Sequence, residues 1–348
     1  MFLSIELAVI IEKLVLIIIV VMGSLVVAMY MTYGERKVAG LLQDRPGPNR
    51  AGPFGLLQPL ADGMKLFFKE EIVPAFSSKA LFIMGPALAM LTAIMTSAVI
   101  PWGDKVHFFD RDISLQIADV NIGILYVFGV VSLGVYGIMI GAWASNNKYS
   151  LLGGLRAASQ IISYELAMGI SIIALLMLTG TLSLKEMVLQ QQAGNWNIIY
   201  QPLGFLIFLI CAFAECNRTP FDLAEAESEL IGGYHTEYSS MKLGFYLFAE
   251  YINMFISSAV MASLYFGGYD MPFFNEAAHA DWGNWLALIG IAAFMFKIII
   301  FIFIFMWVRW TVPRFRYDQL MHLGWRILIP LALFNMLATG AAILYFGK

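Results

Sequence analysis

The twenty residues LVLIIIVVMGSLVVAMYMTY, 14–33, contain no charge and reach ~30 Å as an α-helix, the thickness of a bilayer's hydrocarbon core. Such a run reads as a membrane span. It lies within a first apolar stretch over 10–33, and seven more follow at 80–101, 119–142, 160–181, 200–215, 243–267, 285–308 and 326–346. The fifth is short, bounded by Pro202 and Glu215. Of the 348 residues, 60% are hydrophobic and 13% charged, against roughly a quarter charged in a soluble domain. With a mean hydropathy of +0.77, the apolar surplus exceeds what one core can bury. The reading is an all-α integral membrane protein of about eight transmembrane helices, one polytopic domain over 1–348 without internal repeat. Glu6, Glu12 and Lys13 accompany the first stretch instead of a basic n-region, so it is expected to be a retained helix and not a signal peptide.

Lys and Arg set the expected orientation. Fifteen of the 21 fall in the odd-numbered connections, among them Arg36, Lys37, Arg45 and Arg50 in the first and Arg309, Arg314, Arg316 and Arg326 in the last. These connections are predicted to face the cytoplasm, with both termini on the opposite side. Trp102, Trp282, Trp285, Trp307, Trp310 and Trp325 fall near the predicted helix ends, where an aromatic belt belongs.

Several chemistries are disfavoured by composition. Cys211 and Cys216 supply too few thiols for a disulfide framework, and His107, His235, His279 and His322 are scattered. Zinc and iron–sulfur sites take about four ligands, so no metal held by this chain alone is expected. No basic run suggests nucleic acid, and no GxGxxG followed by an acidic residue suggests a bound dinucleotide.

The connections are unusually dense in charge, Gly and Pro. The first runs from Gly34-Glu35-Arg36-Lys37 to Gln43-Asp44-Arg45-Pro46-Gly47-Pro48-Asn49-Arg50, a turn-rich segment. Residues 53–70 then have the period of an amphipathic helix, with Phe54, Leu57, Leu60, Ala61, Met64, Phe67 and Phe68 on one face and Gln58, Asp62, Lys65 and Lys69 on the other. Either it lies in the headgroup region or it walls a cavity at membrane level. The connection over 215–242 is acidic: Glu215-Cys216-Asn217-Arg218-Thr219-Pro220-Phe221-Asp222, then Glu225, Glu227, Glu229 and Glu237. Thr219 with Pro220 and Asp222 predicts a capped helix start, which places Asp222, Glu225 and Glu229 on one face.

The spans carry ionisable residues of their own. Tyr246, Glu250, Asn253 and Ser257 make a polar stripe into the bilayer, Glu165 enters the fourth span, and Lys297 sits mid-way along the seventh. Such residues are costly in lipid and functional by default. A salt bridge between Lys297 and a buried carboxylate is one reading, and a Glu and Lys proton path is the other.

Four long motifs carry a resemblance: ERKVAGLLQDRPGPNRAGPFGLLQPLADGMKLFFKE (35–70), LRAASQIISYE (155–165), ECNRTPFDLAEAESELIGGYHTEYSSMKLGFYLFAEY (215–251) and RFRYDQLMHLGWRILIPL (314–331). They closely resemble the H-subunit family of bacterial proton-pumping NADH:quinone oxidoreductase, respiratory complex I, to which the mitochondrially encoded subunit 1 belongs. The resemblance implies a membrane subunit of a multisubunit translocase in the bacterial inner membrane, inactive alone, with termini on the periplasmic side; a mitochondrial inner-membrane location is the alternative. Its quinone chamber would involve Glu35, Arg36 and Lys37, then Phe54, Gln58, Ala61, Asp62 and Gly63, then Arg218 and Phe221. Its proton-coupling candidates are Glu165, Asp222, Glu225, Glu227, Glu229 and Glu250, to which the mid-span position of Lys297 adds that residue. It also implies partner subunits that carry FMN and iron–sulfur clusters, small and antiporter-like membrane subunits, quinone as substrate, and lipid. The rival readings are the homologous membrane subunit of an energy-converting hydrogenase and a free-standing proton or cation transporter, although no inverted repeat or paired broken helices are found.

Overall fold

The computed structural model describes residues 2–108, 111–225, 227–271 and 283–346. Thirteen helices occur among them. They are α1 (Phe2–Leu42), α2 (Gln58–Phe68), α3 (Lys79–Thr96), α4 (Gly123–Ala144), α5 (Lys148–Thr179), α6 (Leu184–Ala193) and α7 (Asn197–Tyr200). Then come α8 (Pro202–Glu215), α9 (Glu227–Leu230), α10 (Ser240–Tyr265), α11 (Asn284–Thr311), α12 (Tyr317–His322) and α13 (Ile329–Phe346). A π-helical turn, Leu323–Leu328, joins the last two into one 30-residue segment. Among the described residues, seven helices are long and apolar enough to cross a bilayer. The expected fifth span is α8, whose 14 residues rise only ~21 Å.

The hydropathy boundaries at 33, 160 and 326 fall short of the helices. Helix α1 continues through Glu35, Arg36 and Lys37 to Leu42, α5 begins at Lys148, and the last segment begins at Tyr317. A hydropathy window stops at the first charges, but a helix need not stop when those charges have partners. Arg36 pairs with Asp62, and Arg156 with Glu229. Residues 34–37 are therefore helix and not loop.

Helix α10 is the centre of the bundle, with 72% of its apolar window buried. It packs on α3, α11 and α1. On its α3 side, Gly85 and Gly141 let α3 and α4 approach so closely that a Cβ on Gly85 would lie 2.7 Å from the Gly141 Cα. Small residues at such a crossing allow backbones to pack without side chains between them.

The connections sort into two sets that bond among themselves. On one side Ser240 Oγ donates to the Leu66 carbonyl, Asn147 to Glu237 and the Phe315 N–H to the Pro220 carbonyl. On the other, Lys13 donates to the Gln116 carbonyl, Asn284 to that of His107 and Trp196 Nε1 to Asp270. The second set includes a feature absent from the sequence reading, an antiparallel ribbon of β1 (Lys105–Phe108) and β2 (Arg111–Ser114).

The tryptophans expected in an aromatic belt do not all reach the surface. Trp285, Trp307, Trp310 and Trp325 are exposed on the bundle surface, whereas Trp102 is buried and stacks on Phe255 at 5.5 Å. Trp282 and His279 lie outside the described residues.

Candidate functional site

A cavity of about 450 Å³ opens between α1, α2, α10 and the end of α11, lined by Met29, Thr32, Glu35, Arg36, Pro59, Asp62, Gly63, Lys65, Leu66, Leu247, Phe248, Tyr251 and Trp310. The amphipathic helix that walls it starts at Gln58 and not at 53. Phe54 has a left-handed φ of 54°, so Pro53–Gly55 forms a separate turn, held by Tyr33 Oη donating to the Phe54 carbonyl. Asp62 faces inward, taking Arg36 at 2.8 Å and Gln58 Nε2 at 3.1 Å. Phe54, Phe67 and Phe68 face outward, 77%, 68% and 82% exposed, so the apolar face is left for lipid or another chain.

Of the residues implied for the chamber, Glu35, Arg36, Asp62 and Gly63 line this cavity. Ala61 turns outward, Lys37 lies over the Tyr33 ring, and Phe221 packs against Tyr164 and Phe315. Phe54, Gln58 and Arg218 also lie off the lining, Gln58 supporting Asp62 from behind.

Glu35 faces both this cavity and the interior. Arg309 Nη1 lies 2.6 Å from its carboxylate, Tyr251 Oη donates to it at 2.7 Å, and Arg218 Nη1 stands at 3.7 Å. Arg218 Nη2 is 3.6 Å from Glu250, which also accepts from Tyr234 Oη at 2.8 Å. Beyond it His235 Nε2 and Glu225 meet at 2.9 Å. The polar file runs from the cavity wall into the centre of the bundle.

The acidic connection differs from the sequence expectation. No helix begins at Thr219; residues 219–225 are turns and bends, and among the described residues of this connection helix occurs at Glu227–Leu230 and as a single 3-10 turn at Gly233–His235. The groups that a helix start would have used are engaged elsewhere, the Asp222 carboxylate by Arg314 at 2.9 Å and the Pro220 carbonyl by Phe315. Asp222, Glu225 and Glu229 consequently share no helix face. Each has its own partner: Arg314, His235 and Arg156. The Glu227 side chain lies outside the described residues. Gly233, at φ 57°, closes the loop; a Cβ there would sit 1.7 Å from the Ala224 carbonyl oxygen.

Environment separates these groups electrostatically. Burial raises Asp222 to about 6, and Glu225 adds to the shift against Arg314, Arg309 and Arg218. For Glu225 burial acts upward too, but the hydrogen bond and charge of His235, with Arg218 and Arg309, overcome it and leave the carboxyl at about 2. Burial would lower His235, yet its bond and attraction to Glu225 leave it raised. In the His235–Glu225 contact each group thus favours the charged form of the other.

Two smaller cavities, about 40 and 30 Å³, lie deeper, and each has room for water. Glu250 and Tyr234 line the first, Ser257 lines the second, and Val131, Glu215 and Asn253 line both. All four stripe residues on α10 line these cavities, Tyr246 the first of them, where its Oη donates to the Gly137 carbonyl. Glu165, half-buried, accepts from Ser132 Oγ at 2.5 Å.

Lys297 is not part of this file. Its ammonium donates to the carbonyls of Phe266, Gly268 and Asp270 at 2.7, 2.8 and 2.5 Å and lies 4.6 Å from the Trp196 ring centroid. Those carbonyls follow the end of α10, ~24 Å along the helix from Glu250. Gln191 and Asn197 satisfy the neighbouring Ser263 and Leu264 carbonyls. Irregular backbone at membrane depth needs such internal partners.

Sequence reasoning missed Glu215, His235, Tyr234, Arg309 and Arg314 as site residues. Glu215 stood out only as the end of a span and the first residue of the acidic connection. The arginines counted only toward orientation, since nothing local relates 309 and 314 to 35 and 222. Glu225, His235 and Glu250 do bring three potential ligand atoms within 4.8 Å. However, the Arg218 guanidinium beside Glu250 opposes a further cation there, and an ion-pair network is the better description.

The sequence matches the NADH dehydrogenase family over residues 14–340. It is 65% identical over 335 residues to the H 1 subunit of the NADH-quinone oxidoreductase of Cytophaga hutchinsonii, covering 96% of this chain and 97% of that protein. It is 66% identical over 339 residues to the H subunit of the Flavobacterium johnsoniae enzyme, covering 97% of each chain. To the H subunit of the Thermomicrobium roseum enzyme it is 50% identical over 320 residues, covering 89% of this chain and 90% of that one.

Proposed function

The chain belongs to the NADH dehydrogenase family, among the H subunits of the multisubunit NADH-quinone oxidoreductase, and from that premise we propose that its outer cavity is the membrane-side part of a quinone chamber coupled to proton translocation. The observation that carries the reading is Glu35, which lines the cavity and belongs to the ion network reaching Glu250. The apolar wall of Met29, Pro59, Leu66, Leu247 and Phe248 suits an isoprenoid tail, whose burial stabilises by ~25 cal/mol per Å². Arg36, Asp62 and Lys65 stand where a headgroup would pass.

Quinone reduction takes two electrons and two protons. Electrons come from flavin and iron–sulfur clusters in partner subunits, which close the chamber from the cytoplasmic side. A charge arising in the poorly solvated chamber perturbs Glu35 and, through the network, Asp222, Glu225 and Glu250. Glu215, Asn253 and the small cavities continue toward Glu165 and the pumping subunits. The connections rich in Lys and Arg face the cytoplasm of a bacterial cell and the termini face the periplasm.

Gly63 tests the reading. It lines the cavity, and an added Cβ would meet nothing within 4 Å, so Gly63→Phe fits the fold while filling the passage. The expected result in the assembled complex is a raised KM for long-tailed quinone at normal kcat. An unchanged KM with normal assembly would overturn it. Proton pumping and quinone reduction that both stay at wild-type rates in Glu225→Gln and Glu250→Gln would remove the coupling role.

A further inference from the structure

Arg218 stands between the outer cavity and the first of the inner ones. Its side chain is buried, 7% exposed, and Nη1 and Nη2 lie 3.7 Å from Glu35 and 3.6 Å from Glu250. Neither distance is a hydrogen bond. Nε and Nη2 have no hydrogen-bond partner among the described residues. A buried guanidinium ordinarily docks on one carboxylate through two parallel bonds. This one is held mid-way between two, and they belong to different cavities.

The surroundings make that position a pivot. The Tyr251 ring lies under the guanidinium, 4.2 Å from its carbon, a face contact that sets no hydrogen-bond direction within the guanidinium plane. Glu35 keeps Arg309 and the Tyr251 hydroxyl if Arg218 leaves, whereas Glu250 keeps the Tyr234 hydroxyl. Glu225 also attracts the guanidinium but is already bonded to His235. Two arrangements of nearly equal geometry are thus available.

Resting on the quinone-chamber reading, we propose that Arg218 is a shared counter-ion that settles on Glu35 or on Glu250 according to which of them carries the greater uncompensated charge. It is a positioning residue and touches neither cavity's contents. Whatever neutralises or displaces Glu35 at the outer wall releases Arg218 to Glu250, and a proton on Glu250 returns it to Glu35. By linkage the effect is reciprocal, so the charge of the inner acid alters binding in the outer cavity.

The test is the structure of the assembled complex carrying Glu250→Gln, and separately Glu35→Gln. The guanidinium is expected to close to hydrogen-bond distance on Glu35 in the first and on Glu250 in the second. An unmoved guanidinium in both would overturn the proposal. As a functional readout, Glu250→Gln should change the KM for long-tailed quinone about threefold or more, a coupling typical of charged neighbours. That change should vanish in an Arg218→Lys background, because a single ammonium lacks the two separate nitrogens with which the guanidinium faces the two acids. Persistence of the change there would count against the switch. Movement of the guanidinium without any KM change supports the switch and counts instead against the outer cavity as the quinone site. Should Arg218→Lys fail to assemble, the two carboxylate variants decide the matter alone.

Discussion

Arg314 donates to Asp222 at 2.9 Å, joining the short segment between the last two spans to an acidic loop 92 residues earlier. That bond occupies the carboxylate that a helix start at Thr219 would have used and leaves Asp222 buried against a cation.

The pair has a pH signature. Burial holds Asp222 above its ordinary 3.8, at about 6, although Arg314 opposes the shift. A raised carboxyl contributes stability below 3.8 that is lost as pH climbs through about 6. Removing the cation deepens the loss. Arg314→Met is expected to destabilise the assembled complex by roughly 1–2 kcal/mol at about pH 7.5 and little at about pH 5. Thermal midpoints at the two pH values measure this, and equal losses would refute it.

The His235–Glu225 pair has a different window. Glu225 is depressed from 4.5, so its contribution is complete above 4.5 and disappears as pH falls through about 2. His235 is raised from 6.5, so its contribution is complete below 6.5 and disappears as pH rises through the raised value. Both are present between 4.5 and 6.5. His235→Gln should lower the thermal midpoint most in that interval and progressively less toward about pH 9. A pH-independent loss would contradict the pairing.

Lys297 is expected to matter for assembly and not for turnover. Lys297→Met strands three carbonyls, and charged hydrogen bonds contribute ~1.5–3 kcal/mol each, so the yield of intact complex should fall sharply. The complex that does assemble should pump protons at the normal ratio per NADH. Normal yield with defective pumping would return Lys297 to the proton path.

Gly233→Ala should prevent the acidic loop from closing, because the new Cβ would meet the Ala224 carbonyl at 1.7 Å and φ is positive. Loss of stable complex is expected. Gly129→Ala, where nothing lies within 4 Å, is the control and should assemble normally. Equal behaviour of the two would show that the loop has another closed form.

By itself the sequence determined the solvent and the segments. Apolar runs near twenty residues long have few stable fates besides helices in lipid, and both the spans and the amphipathic period are local properties of the chain. It also singled out Asp222, Glu225 and Glu250 as candidates, since charge near a bilayer is conspicuous. Local composition could not say where helices end, because α1 and α5 run on through charges whose partners are distant: Arg36 with Asp62, Arg156 with Glu229. Nor could it pair Glu35 with Arg309, Asp222 with Arg314, or Lys297 with the carbonyls beyond α10. Periodicity assigns a residue to a face, but only the packing of helices decides which distant charge that face meets. In a low-dielectric interior that meeting decides whether a buried cation is held by carbonyls, as Lys297 is, or stands among carboxylates, as Arg218 and Arg309 do.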